Sequence, residues 1–139
     1  MIGKQLEAWL EAFAEQVRRA DLAGARRLFE PSLRGFGTRA FSAEGRDAVE
    51  RDQWAHVWPS TRGFQFELDA LSVWLSPDGR QASLAVPWRS TGLAPDGVHF
   101  ERRGRATLVL ARAGGDAWLG VHTHFSIHPD ARHPALAPA

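Results

Sequence analysis

His122 and His124 stand two residues apart in an alternating stretch, so both imidazoles project from one face of a strand, with Ser126 and His128 in the same phase. Two imidazoles so placed could chelate a metal, but no further ligands can be named to complete a zinc site. The other phase, Val121, Thr123, Phe125 and Ile127, is apolar, so the core or a pocket is expected there. The histidines are then expected to face outward or into a subunit contact, and no metal is expected. Asp52 and His56 lie one helical turn apart, a spacing that permits an acid–base pair, although a solvent-facing ion pair is the favoured reading. Arg26-Arg27 and Arg102-Arg103 could meet an anion, yet short basic doublets are usually solvated surface, and neither is assigned a role. The chain has no cysteine, which removes thiol nucleophiles, thiolate metal sites and disulfides together.

A chain of 139 residues can bury one full core. Its 44% hydrophobic and 24% charged residues are those of an ordinary globular domain rather than a disordered chain. Lys and Arg number 17 against 16 acids and are scattered, so nucleic acid is not an expected partner. The N-terminus is amphipathic and no stretch approaches the ~20 apolar residues that span a bilayer, so no membrane partner is expected and the cytoplasm is the expected location.

Leu6, Trp9, Leu10, Phe13 and Val17 recur at helical spacing and predict an amphipathic first helix. Asp21 is placed to cap a short second helix carrying Leu22, Ala25, Leu28 and Phe29, with Pro31 as its stop. Leu33 to Thr38 reads as a short strand or extended loop. Gly45 to Trp58 predicts a third helix that ends at Pro59 and carries Val49, Gln53, Trp54, Val57 and Trp58 on one side. From Phe64 the period becomes two, and the phase change between Leu68 and Leu71 predicts a bend. Ala82, Leu84, Val86 and Trp88 mark a returning strand, in which Pro87 is expected at an edge or bulge. Turns at Ser76–Gly79, Ala94–Gly97 and Gly114–Asp116 then separate the long strands of a meander. Residues 1–128 form the expected single domain, and the Pro- and Ala-rich residues 129–139 a mobile tail. No G-x-G-x-x-G or P-loop motif is present, which argues against a dinucleotide or nucleoside triphosphate site.

The order of helices, bent strand and meander resembles the SnoaL-like branch of the nuclear-transport-factor-2-like superfamily over roughly residues 5 to 128. Its local carriers are Phe36-Gly37-Thr38, Gly45-Arg46-Asp47-Ala48, Gly104-Arg105-Ala106-Thr107 and Trp118 to Ser126. The resemblance implies an α+β fold with three N-terminal helices packed on a strongly curved antiparallel β-sheet, a cone-shaped α+β barrel. It also implies an apolar pocket on the concave side and a convex side that commonly pairs with a second subunit. It supplies no reaction, because the superfamily hosts many. A steroid-isomerase arrangement uses a tyrosine that this chain, with no tyrosine, lacks. An epoxide-hydrolase arrangement needs Asp, Arg and Asp around one water, and nothing in the spacing of Asp52, Asp69 and Arg89 shows convergence.

Six tryptophans are the surplus of the composition, and most are expected in the core. Trp54 and Trp58 on a covering helix, facing Phe36, Trp88 and Phe125, are the expected cavity wall, and Arg89, His99 and Thr123 are the polar groups expected to orient a ligand. Two functions remain open. One is a protein that receives a small apolar or aromatic molecule, either binding it or performing a proton-transfer, dehydration or cyclisation step, with no cofactor implied and no catalytic residue identified. The other is a non-catalytic homodimerisation module working through a convex face of Arg105, Thr107, Trp118, His122 and His124.

Overall fold

The computed structural model describes residues 2–112 and 114–129. The expected tail therefore lies outside the described residues apart from Pro129. Helix α1 (Ile2–Arg19) forms as its periodicity requires and buries Leu6, Trp9, Leu10, Phe13, Ala14 and Val17. Its last turn is tied to the sheet by Arg18, whose Nη1 donates to the Phe64 carbonyl at 2.8 Å. The Asp21 carboxylate accepts from the Gly24 amide at 2.9 Å and caps α2 (Leu22–Arg26).

Helix α2 is shorter than the expected one: Leu28 and Phe29 lie outside it, and Phe29 opens strand β1 (Phe29–Phe36). Pro31 is thus inside a strand and stops no helix. The missing proline N–H is tolerated because the β1 ladder to the last strand is interrupted between Phe29 and Arg34. After the short β2 (Ala43–Glu44) comes the third helical segment, made of α3 (Arg46–Val49), a π-helical turn (Glu50–Trp54) and α4 (Ala55–Val57), closed by a 3₁₀ turn (Trp58–Ser60) around Pro59.

The remaining strands are β3 (Thr61–Phe66), β4 (Ser72–Leu75), β5 (Gln81–Leu93), β6 (His99–Ala111) and β7 (Leu119–Ile127). The predicted bend is a 3₁₀ turn, Leu68–Ala70, which moves the chain from one partner position along β5 to another. β4 pairs with Ala82–Ala85 and β3 with Trp88–Gly92, and Pro87 sits between the two ladders. Pro87 is thus not on a sheet edge but in a gap where no amide hydrogen is needed, and its carbonyl accepts from Glu67 N at 2.9 Å. The sheet order is β2-β1-β7-β6-β5-β3, with β4 also on β5.

All these pairs are antiparallel except β1 with β7, so the curved sheet is mixed, and the α+β architecture with helices on its concave side holds. Ala82, Leu84, Val86 and Trp88 of β5 and Ala106, Leu108 and Leu110 of β6 are buried as alternation requires.

Strand β7 departs from its expected phase. Its register on β6 shifts between Val109 and Leu110, so Thr123 and Phe125 face inward while Val121 is the extra residue of a bulge. Gly120, not Val121, then opposes Leu110, and a Cβ there would lie 2.3 Å from the Phe29 ring. Trp118 consequently packs inside the fold at 7% exposure rather than on the convex face. Its Nε1 donates to Gln5 Oε1 at 3.2 Å and the Arg112 guanidinium lies 4.4 Å from its ring.

Candidate functional site

A cavity of about 40 Å³ lies between the third helical segment, α1 and the concave face of the sheet. Its walls are aromatic. Trp54 and Trp58 stack at 4.9 Å with their planes 19° apart, and Phe13 meets both rings edge-on or tilted near 6 Å. From the sheet, Trp88 and Phe125 approach each other at 6.2 Å, and Phe64 reaches Trp88 at 5.6 Å. Continuous rings on both sides keep the cavity apolar and position it over the β5–β6–β7 face.

One end of the cavity is polar. Gln53, in the π-helical turn, accepts on Oε1 from the amides of Arg39 (2.9 Å) and Ala40 (2.8 Å). Its Nε2 donates to Thr38 Oγ1 at 2.9 Å. The same Thr38 oxygen accepts from Arg102 Nη2 at 2.8 Å. Gly37 makes this possible, because a Cβ there would come within 2.4 Å of Gln53 Oε1. A π turn adds a residue to the helical ladder and redirects side chains, and here it sets Gln53 against the 37–40 segment and Trp54 against the core.

Among the described residues, Arg102 is the one cation that lines the cavity. Its guanidinium lies 5.1 Å from the Trp88 ring, and no carboxylate pairs with it among the described residues. Burial holds its pKa below the usual arginine value. The Thr123 hydroxyl borders the same space and has no hydrogen-bond partner among the described residues, and the buried Trp88 Nε1 has none either.

Of the residues expected at the pocket, Trp54, Trp58, Trp88, Thr123 and Phe125 line it with their inward faces. Phe36 borders it, but its ring lies edge-on to His122 (5.0 Å) and His124 (5.4 Å), and it pairs with His124 across the β1–β7 ladder, which places the ring on the outer face. Arg89 and His99 do not reach the cavity. Arg89 follows the inward Trp88 and so points outward, where it donates to Gln65 Oε1 at 3.1 Å, and His99 is exposed opposite Leu93. Arg102, left without a role from sequence, belongs to the inner phase of β6 with Gly104, Ala106 and Leu108. That continuation of the alternation was the signal that marks it. Gln53 and Thr38 carried no comparable signal, since their contact joins a helix to a loop.

The expected outer face is present in part. Thr107 opposes His124, Arg105 opposes Ser126 and Val109 opposes His122. Arg105, Thr107, His124 and Ser126, with Ser72 and Ala85, line an outer groove of about 430 Å³. His122 Nδ1 is 2.8 Å from the Arg34 carbonyl. Among the described residues no group of three or more His, Cys, Asp or Glu side chains could hold a metal ion. Asp52 is held by Arg51 at 2.9 Å, which keeps its carboxyl below the usual range, and neither Asp52 nor His56 lines the cavity. No helix of the described residues is long and apolar enough to cross a membrane.

Known proteins share this fold. The chain aligns over 96% of its length with a nuclear transport factor 2-like superfamily protein from Salmonella enterica serovar Typhimurium, at 18% identity, 95% coverage of that chain and a TM-score of 0.79. A ketosteroid isomerase-like protein from Erwinia carotovora atroseptica covers 87% of this chain and 92% of its own at 15% identity and a TM-score of 0.72. The association domain of C. elegans CaMKII covers 88% and 93% at 17% identity and a TM-score of 0.69. At such identities the likeness concerns the fold alone. The comparison with curated protein sequences found no match. The SnoaL-like domain description matches residues 6–130, nearly the whole chain, and the protein belongs to that family, within the nuclear-transport-factor-2-like fold.

Proposed function

We propose that the protein binds a compact organic molecule in the cavity between the third helical segment and the sheet. The observation that carries this reading is the pairing of an aromatic enclosure with one polar end, Thr38, Gln53 and Arg102, which is the usual composition of a small-molecule site. The volume favours a body of a few carbons. An engineered cavity of roughly 150 Å³ takes benzene, whereas this one, at about 40 Å³, admits a ring only if its walls move. Binding is favoured over proton-transfer catalysis because no Asp, Glu or His lines the cavity among the described residues.

The test is ligand-dependent thermal stabilisation with a panel of short-chain alcohols, acids and amides. Stabilisation by at least one compound, lost when Ala43→Val fills the buried cavity wall, is the expected result. A panel that leaves the melting temperature unchanged, or an effect undiminished by Ala43→Val, contradicts it.

The outer groove favours a second reading, self-association through Arg105, Thr107 and His124. It predicts a dimer by light scattering that His124→Glu dissociates. A monomeric wild-type protein rules it out.

A further inference from the structure

We propose that the cavity is selective for an anion, a short-chain monocarboxylate whose head pairs with Arg102 and the Thr38 hydroxyl while its carbons enter between Trp54, Trp58 and Phe125. The inference rests on the ligand-binding reading above and narrows it to a chemical class. Three observations converge on it.

Arg102 is half-buried, faces an apolar enclosure and uses one N–H on Thr38, and no other side-chain or backbone acceptor meets its guanidinium among the described residues. A desolvated cation without a counter-ion is costly, and a planar carboxylate is the group that a guanidinium fork matches. The Trp88 ring, with its centroid 5.1 Å from the guanidinium carbon, holds the cation beside the cavity.

Thr38 Oγ1 already accepts two hydrogen bonds, from Gln53 Nε2 and Arg102 Nη2. Its own O–H must therefore point away from both and is available to donate. Gln53 cannot rotate to take over that role, because its Oε1 is held by the amides of Arg39 and Ala40. The polar end thus offers donors and a positive charge, and among the described residues no carboxylate lines it.

The walls disfavour a strongly hydrated anion. Inorganic phosphate is strongly hydrated, gains nothing from tryptophan faces and meets a single cation among the described residues. A carboxylate with a few carbons buries its body against the walls and keeps its head at the Arg102 end.

The experiment is a titration followed by tryptophan fluorescence and thermal shift, at constant ionic strength, with isobutyrate, isobutanol, isobutylamine and inorganic phosphate. Isobutyrate is expected to bind roughly ten- to a hundredfold more tightly than isobutanol, the range for hydrogen bonds to a charged group. Arg102→Gln should erase that difference while leaving isobutanol unchanged, and Arg89→Gln, an exposed arginine outside the cavity, should preserve it. Thr38→Val removes the hydroxyl but keeps the Arg102 charge, and serves if Arg102→Gln does not fold. It is expected to weaken isobutyrate roughly three- to tenfold and isobutanol not at all. Isobutanol or phosphate binding as tightly as isobutyrate overturns the carboxylate inference, and if isobutanol binds, the cavity reading survives that result. Equal losses for acid and alcohol in Thr38→Val overturn it as well. If none of the four compounds binds, the cavity reading itself fails.

Discussion

Gly37→Ala should damage the polar end of the cavity without straining the backbone at the site of substitution. Gly37 does not have a positive φ, so alanine is acceptable there in itself, but its Cβ would lie 2.4 Å from Gln53 Oε1 and 2.5 Å from Gln53 Cδ. The amide must move, and it can, because it is the far end of a flexible side chain. Moving it breaks the bonds to Arg39 N, Ala40 N and Thr38 Oγ1. At roughly 0.5–1.5 kcal/mol each, with water replacing some of them at this half-exposed position, the loss is about 2 kcal/mol. For a domain of this size that is a fall of about 8 °C in melting temperature. Gln53→Ala removes the same bonds directly and should cost a similar amount.

The decisive quantity is the coupling. If Gly37 acts only by making room for Gln53, the double variant should be scarcely less stable than either single one, with a coupling of about 2 kcal/mol from urea unfolding. Additive losses would refute the reasoning and show that Gly37 and Gln53 act separately.

Other expectations follow from the same structure. Trp118→Ala should destabilise by about 3–5 kcal/mol in equilibrium unfolding, as for a large buried aromatic, and Gln5→Ala by about 1 kcal/mol. A near-neutral Trp118→Ala would return the indole to the surface. Gly3→Ala, in α1 with nothing within 4 Å of the added methyl, should stabilise by about 0.5–1 kcal/mol in the same assay. Gly104→Ala should fail to fold or lose its native tryptophan spectrum, since its Cβ would meet the Ser126 carbonyl at 1.9 Å and Trp88 Cζ2 at 2.6 Å. The hydrogen bond and charge of Arg26 hold Asp47 below the usual carboxyl pKa. The unfolded chain therefore takes up this proton first as pH falls. The stabilisation is present above about pH 4 and is lost as pH drops through the folded-state value, so melting curves of Asp47→Asn should show a shallower acid slope than wild type.

The fold was legible where side chains repeat in simple periods. The stripe Leu6, Trp9, Leu10, Phe13, Val17 and the even-numbered inward positions of β5 are buried as read. The phase change after Leu68 marked the bend that lets β3 and β4 share β5. Two kinds of information were not in the periods. A bulge inserts one residue without changing residue type, so the shift at Val121 turned Trp118 and Gly120 inward against expectation. A parallel pairing such as β1 with β7 joins segments distant in the chain, and nothing local encodes it.

At the site, the aromatic walls announced themselves by size and spacing. The polar groups were harder to place, because charged side chains read as surface by default. Arg89 and Arg102 show the correction that strand geometry supplies: neighbours of Trp88 on β5 must alternate, which expels Arg89, whereas Arg102 shares the phase of Leu108 and enters. The Thr38–Gln53 contact depends on how a loop meets a π-helical turn, which no local period of side chains encodes.

The central claim, that the aromatic cavity is where ligand binds, is tested most directly by the indole N–H resonances of the six tryptophans in a ¹H–¹⁵N spectrum, titrated with isobutanol and with isobutyrate. Trp54, Trp58 and Trp88 should shift together and saturably with at least one of the two, while the exposed Trp74 and the remote Trp118 stay in place. Movement of Trp74 or Trp118 with the three cavity indoles silent would contradict it.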